Sequence, residues 1–138
     1  MPYDAEHYAE MQKRTNKAAQ RLVACMNDTK WREVFASIAR HGLSFQVAWV
    51  RDFDWDTQGL HSVLGSWIDT HGLRDPGIGG PCHYRDLLWI RVPRALRVAY
   101  GRVPRKQAIE PFLAELGSLG SVPLHQTEDY VEIRGYEC

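Results

Sequence analysis

The spacing of the apolar positions predicts two helices at the beginning of the chain. Over residues 4–26, apolar side chains recur at steps of three and four with charged residues between them, which is typical of an amphipathic helix. A second helix follows, because residues 27–29 are all good N-cap types and a buried face recurs from Trp31 onward. Gly42 suits the left-handed residue that ends such a helix.

The pattern then changes to a period of two, which is typical of a strand. Over residues 44–51, Phe45, Val47 and Trp49 share one face. Residues 60–68 fit either a strand or a short helix, and the glycines and prolines of residues 69–83 predict a loop. Further along we predict a strand over 87–92, a helix that begins near 108 and ends at Gly117, and a strand over 130–136.

This order of elements predicts an α+β fold. The 138 residues, 44% of them hydrophobic and 25% charged, suit a single domain with one core. Helices grouped beside strands, without regular βαβ alternation, favour an antiparallel sheet. We therefore expect one domain over 1–138, in which two N-terminal helices and a later helix pack on a mostly antiparallel sheet of three to four strands, with 1–26 as a helical extension.

Cysteine usage and hydropathy indicate where the protein works. Cys25, Cys82 and Cys138 are odd in number and far apart, so we expect reduced thiols rather than disulfides. The acidic N-terminus has no apolar run of the signal-peptide kind, and no stretch is apolar for the length that crosses a bilayer. We expect a cytoplasmic protein with no membrane partner.

The net charge is zero, but the charges are segregated. Residues 51–87 hold three Arg and six Asp, residues 89–107 hold six basic side chains and no acid, and residues 108–138 hold six acids and Arg134. The basic segment 91–106 could contact nucleic acid. Because an acidic segment follows it, we expect a solvated or internally paired basic face instead, and a nucleic-acid-binding module remains an alternative.

The residue types of a metal or catalytic site are present without a recognised spacing. There is no HExxH, no Cys-x₂-Cys and no Gly-x-Ser-x-Gly, so we expect no cofactor, no metal and no catalytic residues. A small enzyme with a loop site of His, Cys and Asp, with or without a metal, is the alternative. Its candidate groups are Asp54, Asp56, His61, Asp69, His71, Cys82 and His83.

An acidic and aromatic run at residues 52–56 is the strongest candidate for a binding surface. Three aspartates there alternate with Phe53 and Trp55. Aromatic side chains are enriched at protein interfaces, and carboxylates around them would suit a basic partner. The alternative is that both aromatic residues belong to the core of a strand whose outer face is acidic.

The run Asn-Asp-Thr-Lys-Trp at residues 27–31 resembles the opening of a family of small, uncharacterised bacterial proteins that begin with an "NNTKW" helix. Leu88-Trp89-Ile90 matches the position of that family's central strand, and the closing residues 132–136 resemble its last strand. The resemblance covers residues 27–138. The Gly-rich loop and the basic segment depart from the family.

Such proteins resemble the immunity proteins encoded beside bacterial toxins, which are small and non-enzymatic. The resemblance therefore implies an immunity-type protein that neutralises a cognate toxin by direct binding, and an acidic patch would suit a toxin with a basic cleft, such as a nuclease. The residues that we expect at the toxin interface are Asp52, Asp54, Trp55, Asp56, Trp67 and Asp69.

Overall fold

The computed structural model describes residues 5–20, 22–50, 61–63, 65–74, 81–96 and 105–137. It confirms an α+β fold, and the described residues form three α-helices, a five-stranded antiparallel sheet and three two-stranded sheets. The helices are α1 (Ala5–Ala19), α2 (Asp28–Arg40) and α3 (Ile109–Ser118). None of the helices in the described part of the chain is long and apolar enough to cross a membrane.

The main sheet has five strands in the described part of the chain, and every neighbouring pair is antiparallel. It has one strand more than the upper count predicted from the sequence. In their order across the sheet, its strands are β3 (His61–Ser62), β2 (Ser44–Trp49), β6 (Leu87–Pro93), β10 (Tyr130–Arg134) and β9 (Leu124–Gln126).

The small sheets lie at the ends of these strands and in the connections between them. They pair β1 (Val23–Ala24) with β11 (Tyr136–Glu137), β4 (Gly72–Leu73) with β5 (Cys82–His83), and β7 (Ala95–Leu96) with β8 (Arg105–Lys106).

Helix α2 begins where its capping residues predict. The side-chain oxygen of Asn27 accepts a hydrogen bond from the backbone N–H of Lys30 at 2.8 Å, which satisfies one of the open donors of the first turn. Gly42 follows the helix at φ 60°, a left-handed conformation that a residue without Cβ adopts at little cost. The N-cap and the glycine that we predicted for this helix are both confirmed.

Helix α1 is shorter than its apolar spacing predicts. It ends at Ala19, and Val23 and Ala24 pair with the C-terminal strand β11 instead of continuing the helix. The backbone N–H of Cys25 also donates to the carbonyl of Gly135 at 2.8 Å. The prediction of one helix over 4–26 is therefore wrong at its end, because hydrogen bonds to the far end of the chain replace the helical ones.

The core lies between the sheet and the two later helices. Trp31 and Phe35 of α2 stack with ring centroids 5.7 Å apart, and Phe35 also meets Phe45 of β2 at 5.4 Å and Tyr84 at 5.8 Å. Ile109, Phe112 and Leu116 of α3 are buried in the same cluster. The inner face of the sheet supplies Phe45, Val47, Ile90, Val92, Val131 and Ile133.

The opposite face of the sheet, here called the outer face, holds a smaller apolar cluster of Ala48, Val50, Leu88 and Trp89. A β-bulge lies between strands β2 and β6, because Ala48 pairs with Trp89 while Trp49 pairs with Leu87. Leu88 is the extra residue of the bulge, which explains why two consecutive residues, Leu88 and Trp89, both join the outer cluster while Leu87 and Ile90 join the inner core.

The segments that we predicted as ambiguous or irregular contain short regular elements. Residues 60–68 include both alternatives, since His61–Ser62 is a strand and Gly65–Trp67 is a 3-10 helix. The prediction that residues 69–83 form only a loop is wrong, because Gly72 pairs with His83 and Leu73 with Cys82. A Cβ on Gly72 would collide with the backbone carbonyl oxygen of Cys82, so the glycine permits this close pairing.

Candidate partner-binding surface

Two of the six residues that we expected at a partner interface lie in the described part of the chain. Trp67 ends the 3-10 helix Gly65–Trp67, and Asp69 follows it. Asp52, Asp54, Trp55 and Asp56 lie outside the described residues. We call residues 65–69 the ridge, because a cleft lies on each side of this segment.

The first cleft lies between the ridge and the exposed side of α2, with a volume of about 430 Å³. Ala36, Ala39 and Ile68 line it with apolar groups, and Arg32 and Arg40 add guanidinium groups. Arg40 also forms an ion pair with Glu115 of α3. The small alanine side chains leave room against α2, so the cleft has an apolar floor between cationic groups.

The second cleft, of about 280 Å³, lies between the ridge and the β4–β5 hairpin. The hydroxyl of Tyr84 donates to the backbone carbonyl of Asp69 at 2.6 Å, which fixes the ridge to the core. Burial, together with the nearby Cys82, raises the pKa of Tyr84 well above its ordinary value. The phenol therefore keeps the proton of this hydrogen bond at neutral pH.

The carboxylates beside the ridge each have a cationic or polar partner. Asp69 pairs with Arg74, with Nε 2.6 Å from Oδ2. Asp28, in the first turn of α2, contacts His71, with Nδ1 2.7 Å from Oδ2. All four side chains are well exposed, so each contact stabilises the fold by at most about 1 kcal/mol. The described part of this surface therefore presents paired rather than unpaired carboxylates.

The residues of the alternative His/Cys/Asp site come together only in part. Asp69, His71, Cys82 and His83 line the second cleft. His61 lies elsewhere, on strand β3, where its ring meets that of Phe45 at 6.0 Å. Among the described residues, no three His, Cys, Asp or Glu side chains come close enough to hold a metal ion.

The basic segment is partly paired within the fold. Arg94 donates to the backbone carbonyl of Thr127 and to the side chain of Gln126, both at 2.9 Å. Arg105 and Lys106 are exposed on strand β8. Arg97 and Arg102 lie outside the described residues.

The sequence analysis missed an ionic cluster on the outer face of the sheet. Glu132 of β10 is only 4% exposed and accepts from Nε of Arg91 at 2.7 Å and from Nε of Arg134 at 2.6 Å. Burial by itself raises the pKa of Glu132, but the two guanidinium groups outweigh it and hold the pKa below its ordinary value. The sequence does contain a signal for this cluster. Side chains alternate along β6 and β10, so Arg91, Glu132 and Arg134 lie on the face of the sheet away from the inward Ile90 and Ile133.

Comparison with known proteins adds no further assignment. No protein-family model, no curated protein and no solved structure matches this chain.

Proposed function

We propose that this chain is an immunity-type protein that neutralises a cognate toxin by direct binding, and that the ridge is part of the surface that docks the toxin. The observation that carries the proposal is the position of Trp67, a half-buried indole on a segment with a cleft on each side. The residues that contribute most of the binding energy at protein interfaces are enriched in tryptophan.

The anatomy around Trp67 supports a binding role. The apolar floor of the first cleft can receive partner side chains, and the Asp69–Arg74 ion pair and the Asp28–His71 contact add polar groups at the second cleft. The rim charges steer association and fix register more than they add affinity. Asp52, Asp54, Trp55 and Asp56 belong to the proposed interface on the sequence argument alone.

The resemblance at residues 27–31 supports the class of function. Asn27 caps α2 and Trp31 is buried in the core, so the matching motif specifies the scaffold. A shared scaffold with a variable surface is what a family of inhibitors of different toxins requires. The partner is therefore proposed from the resemblance, and the docking surface from the geometry of the ridge.

The test is to recover the toxin with the tagged protein from its native lysate, identify it by mass, and measure its affinity for variants. We expect W67A to weaken the complex by at least about 30-fold. The double variant D54K/D56K should weaken it by a similar factor through charge reversal. E128K is the matched control, because Glu128 is an exposed acid in the turn before β10, away from the ridge.

Because Trp67 is half-buried, the melting temperature of W67A must be measured beside its affinity. W67F keeps an aromatic ring at the position and should preserve the fold while losing part of the affinity. The docking surface would be wrong if the folded W67F and W67A variants bound the toxin as tightly as the original chain. Failure to recover any toxin would remove the functional proposal itself.

The second candidate function is a small enzyme that uses the second cleft. It is favoured by the Asp28–His71 contact at 2.7 Å, since a carboxylate orients an imidazole in many catalytic sites, and by the presence of Cys82 in the same cleft. An activated thiolate would be alkylated by iodoacetamide much faster than Cys25, and H71A would remove the difference. Equal alkylation rates at Cys82 and Cys25 would reject the enzyme hypothesis.

A further inference from the structure

The outer face of the sheet carries a second feature that toxin docking at the ridge does not use. We infer that Arg91 and Arg134 form a binding site for a carboxylate of an acidic polypeptide segment. The site is separate from the ridge, because Glu132 and both arginines lie on the face of the sheet that points away from α2 and α3.

The first argument is the way in which one carboxylate is shared. Oε1 of Glu132 accepts from Nε of Arg91, and Oε2 accepts from Nε of Arg134. A guanidinium has five N–H donors and can grip a carboxylate through two of them in parallel. Sharing therefore leaves the Nη donors of both arginines without an acceptor among the described residues.

The second argument is the charge. Two guanidinium groups and one carboxylate leave the cluster with one excess positive charge. Glu132 is 4% exposed and already uses both oxygens, whereas the side chains of Arg91 and Arg134 are 21% and 38% exposed. The excess charge therefore lies on the solvent side, where a ligand can reach it, and partial burial makes it stronger than a charge in bulk water.

The third argument is preorganisation. The guanidinium carbon of Arg91 lies 4.0 Å from the ring centroid of Trp89 and 4.4 Å from that of Tyr130. These contacts and the bond to Glu132 hold the guanidinium in one orientation before any ligand arrives. A long side chain fixed in advance loses little entropy when it binds, which favours affinity.

The neighbouring positions complete a polar row across the sheet. Gln46 pairs with Arg91 in the register of β2 and β6, and His125 pairs with Glu132 in the register of β9 and β10. Both are only partly buried. The row is therefore a flat strip of hydrogen-bonding groups around a cationic centre, which fits an extended polypeptide segment better than an enclosed small molecule.

The same observations favour a polypeptide over nucleic acid. The affinity of a protein for nucleic acid comes largely from several phosphate contacts made by Lys and Arg. This cluster offers two guanidinium groups around a fixed negative charge, and the nearby Arg94 is engaged by Thr127 and Gln126. One carboxylate of a polypeptide ligand, bound between the two guanidinium groups, matches the single excess positive charge of the cluster.

The test uses the full chain and a short dye-labelled peptide that alternates glutamate with glycine, with binding followed by fluorescence anisotropy at low salt. A glutamine–glycine peptide and a single-stranded DNA of similar length are the comparison probes. We expect saturable binding of the glutamate peptide, a loss of about tenfold or more in R134Q, and little change in R105Q, which alters an exposed arginine of β8 outside the cluster.

R134K provides a second variant if R134Q folds poorly, because lysine keeps the positive charge but lacks the planar guanidinium that binds a carboxylate through two N–H groups. R134K should therefore lose part of the affinity for the glutamate peptide. An equal loss in R134Q and R105Q would overturn the inference in favour of a diffuse basic surface. Tighter binding of the DNA than of the peptide, or no saturable binding of the peptide, would also overturn it. None of these outcomes bears on toxin docking at the ridge.

Discussion

Replacing Glu132 by glutamine should reveal how strongly the outer-face cluster stabilises the fold. The side chain keeps its size, but the carboxylate that accepts from Arg91 and Arg134 at 2.7 and 2.6 Å is lost. Each charge-assisted hydrogen bond contributes about 1.5–3 kcal/mol. Because both arginines are partly exposed and regain water, we expect a loss in free energy of unfolding of about 3 kcal/mol, near the lower limit for breaking a buried pair.

For a chain of this length, that loss corresponds to a fall in melting temperature of about 10 °C. Urea denaturation followed by tryptophan fluorescence measures the free energy directly, and the slope with urea should stay unchanged if only stability has altered. E128Q is the matched control, because Glu128 is exposed and close in sequence, and it should change stability by less than about 0.5 kcal/mol.

The pH dependence distinguishes an ionic cause from a packing cause. The pKa of Glu132 is lower in the folded chain than in the unfolded one, so its stabilisation is present above the unfolded pKa of about 4.3 and is lost as pH falls through the folded value. The difference between E132Q and the original chain should therefore shrink as pH falls below about 4. A difference that stays constant with pH, or that is below 1 kcal/mol at neutral pH, would refute the reasoning.

Three further changes test the scaffold. G72A should lower the free energy of unfolding, measured by urea denaturation, by at least about 2 kcal/mol, because a Cβ meets the carbonyl of Cys82. G117A, in open space on α3, should raise it by about 0.5–1 kcal/mol. Equal effects of the two changes would contradict the close pairing. N27A should lower the free energy of unfolding by about 1 kcal/mol through loss of the N-cap, and no loss would contradict the capping bond. Q12A removes the hydrogen bonds from α1 to the carboxylate of Asp86, so amide hydrogen exchange should accelerate in α1 and stay unchanged in α2. An equal acceleration in both helices would show that these bonds do not stabilise α1 locally.

The elements that the sequence predicts well are those whose signals are local. Helix α2 carries its own cap, its own buried face and its own terminating glycine, and all three are confirmed. Strand β10 alternates strictly, and Val131 and Ile133 face the core as predicted. Along α1, the charged positions Glu10 and Lys13 are exposed, in agreement with the predicted wet side.

The elements that the sequence did not predict depend on distant partners. Strand β9 has three residues in a region rich in Gly, Ser and Pro, and only its pairing with β10 makes it regular. The end of α1 was misplaced because Leu22 and Cys25 continue a helical spacing, although Leu22 packs in the outer cluster and Cys25 bonds to Gly135. Apolar periodicity reports that a side chain is buried, not which secondary structure buries it.

The outer-face cluster illustrates the same limit for a site. Arg91 belongs to a basic segment and Glu132 to an acidic one, and the charge blocks left open whether they meet. The register of β6 and β10 decides it, since Arg91 is opposite Glu132 and Trp89 is opposite Arg134. A slip of one residue would have inverted one of the two strands and sent its two side chains of this cluster into the core. The inward Ile90 and Ile133 exclude that slip, so the apolar pattern that specifies the sheet also assembles the arginine pair, although neither charged segment alone indicates it.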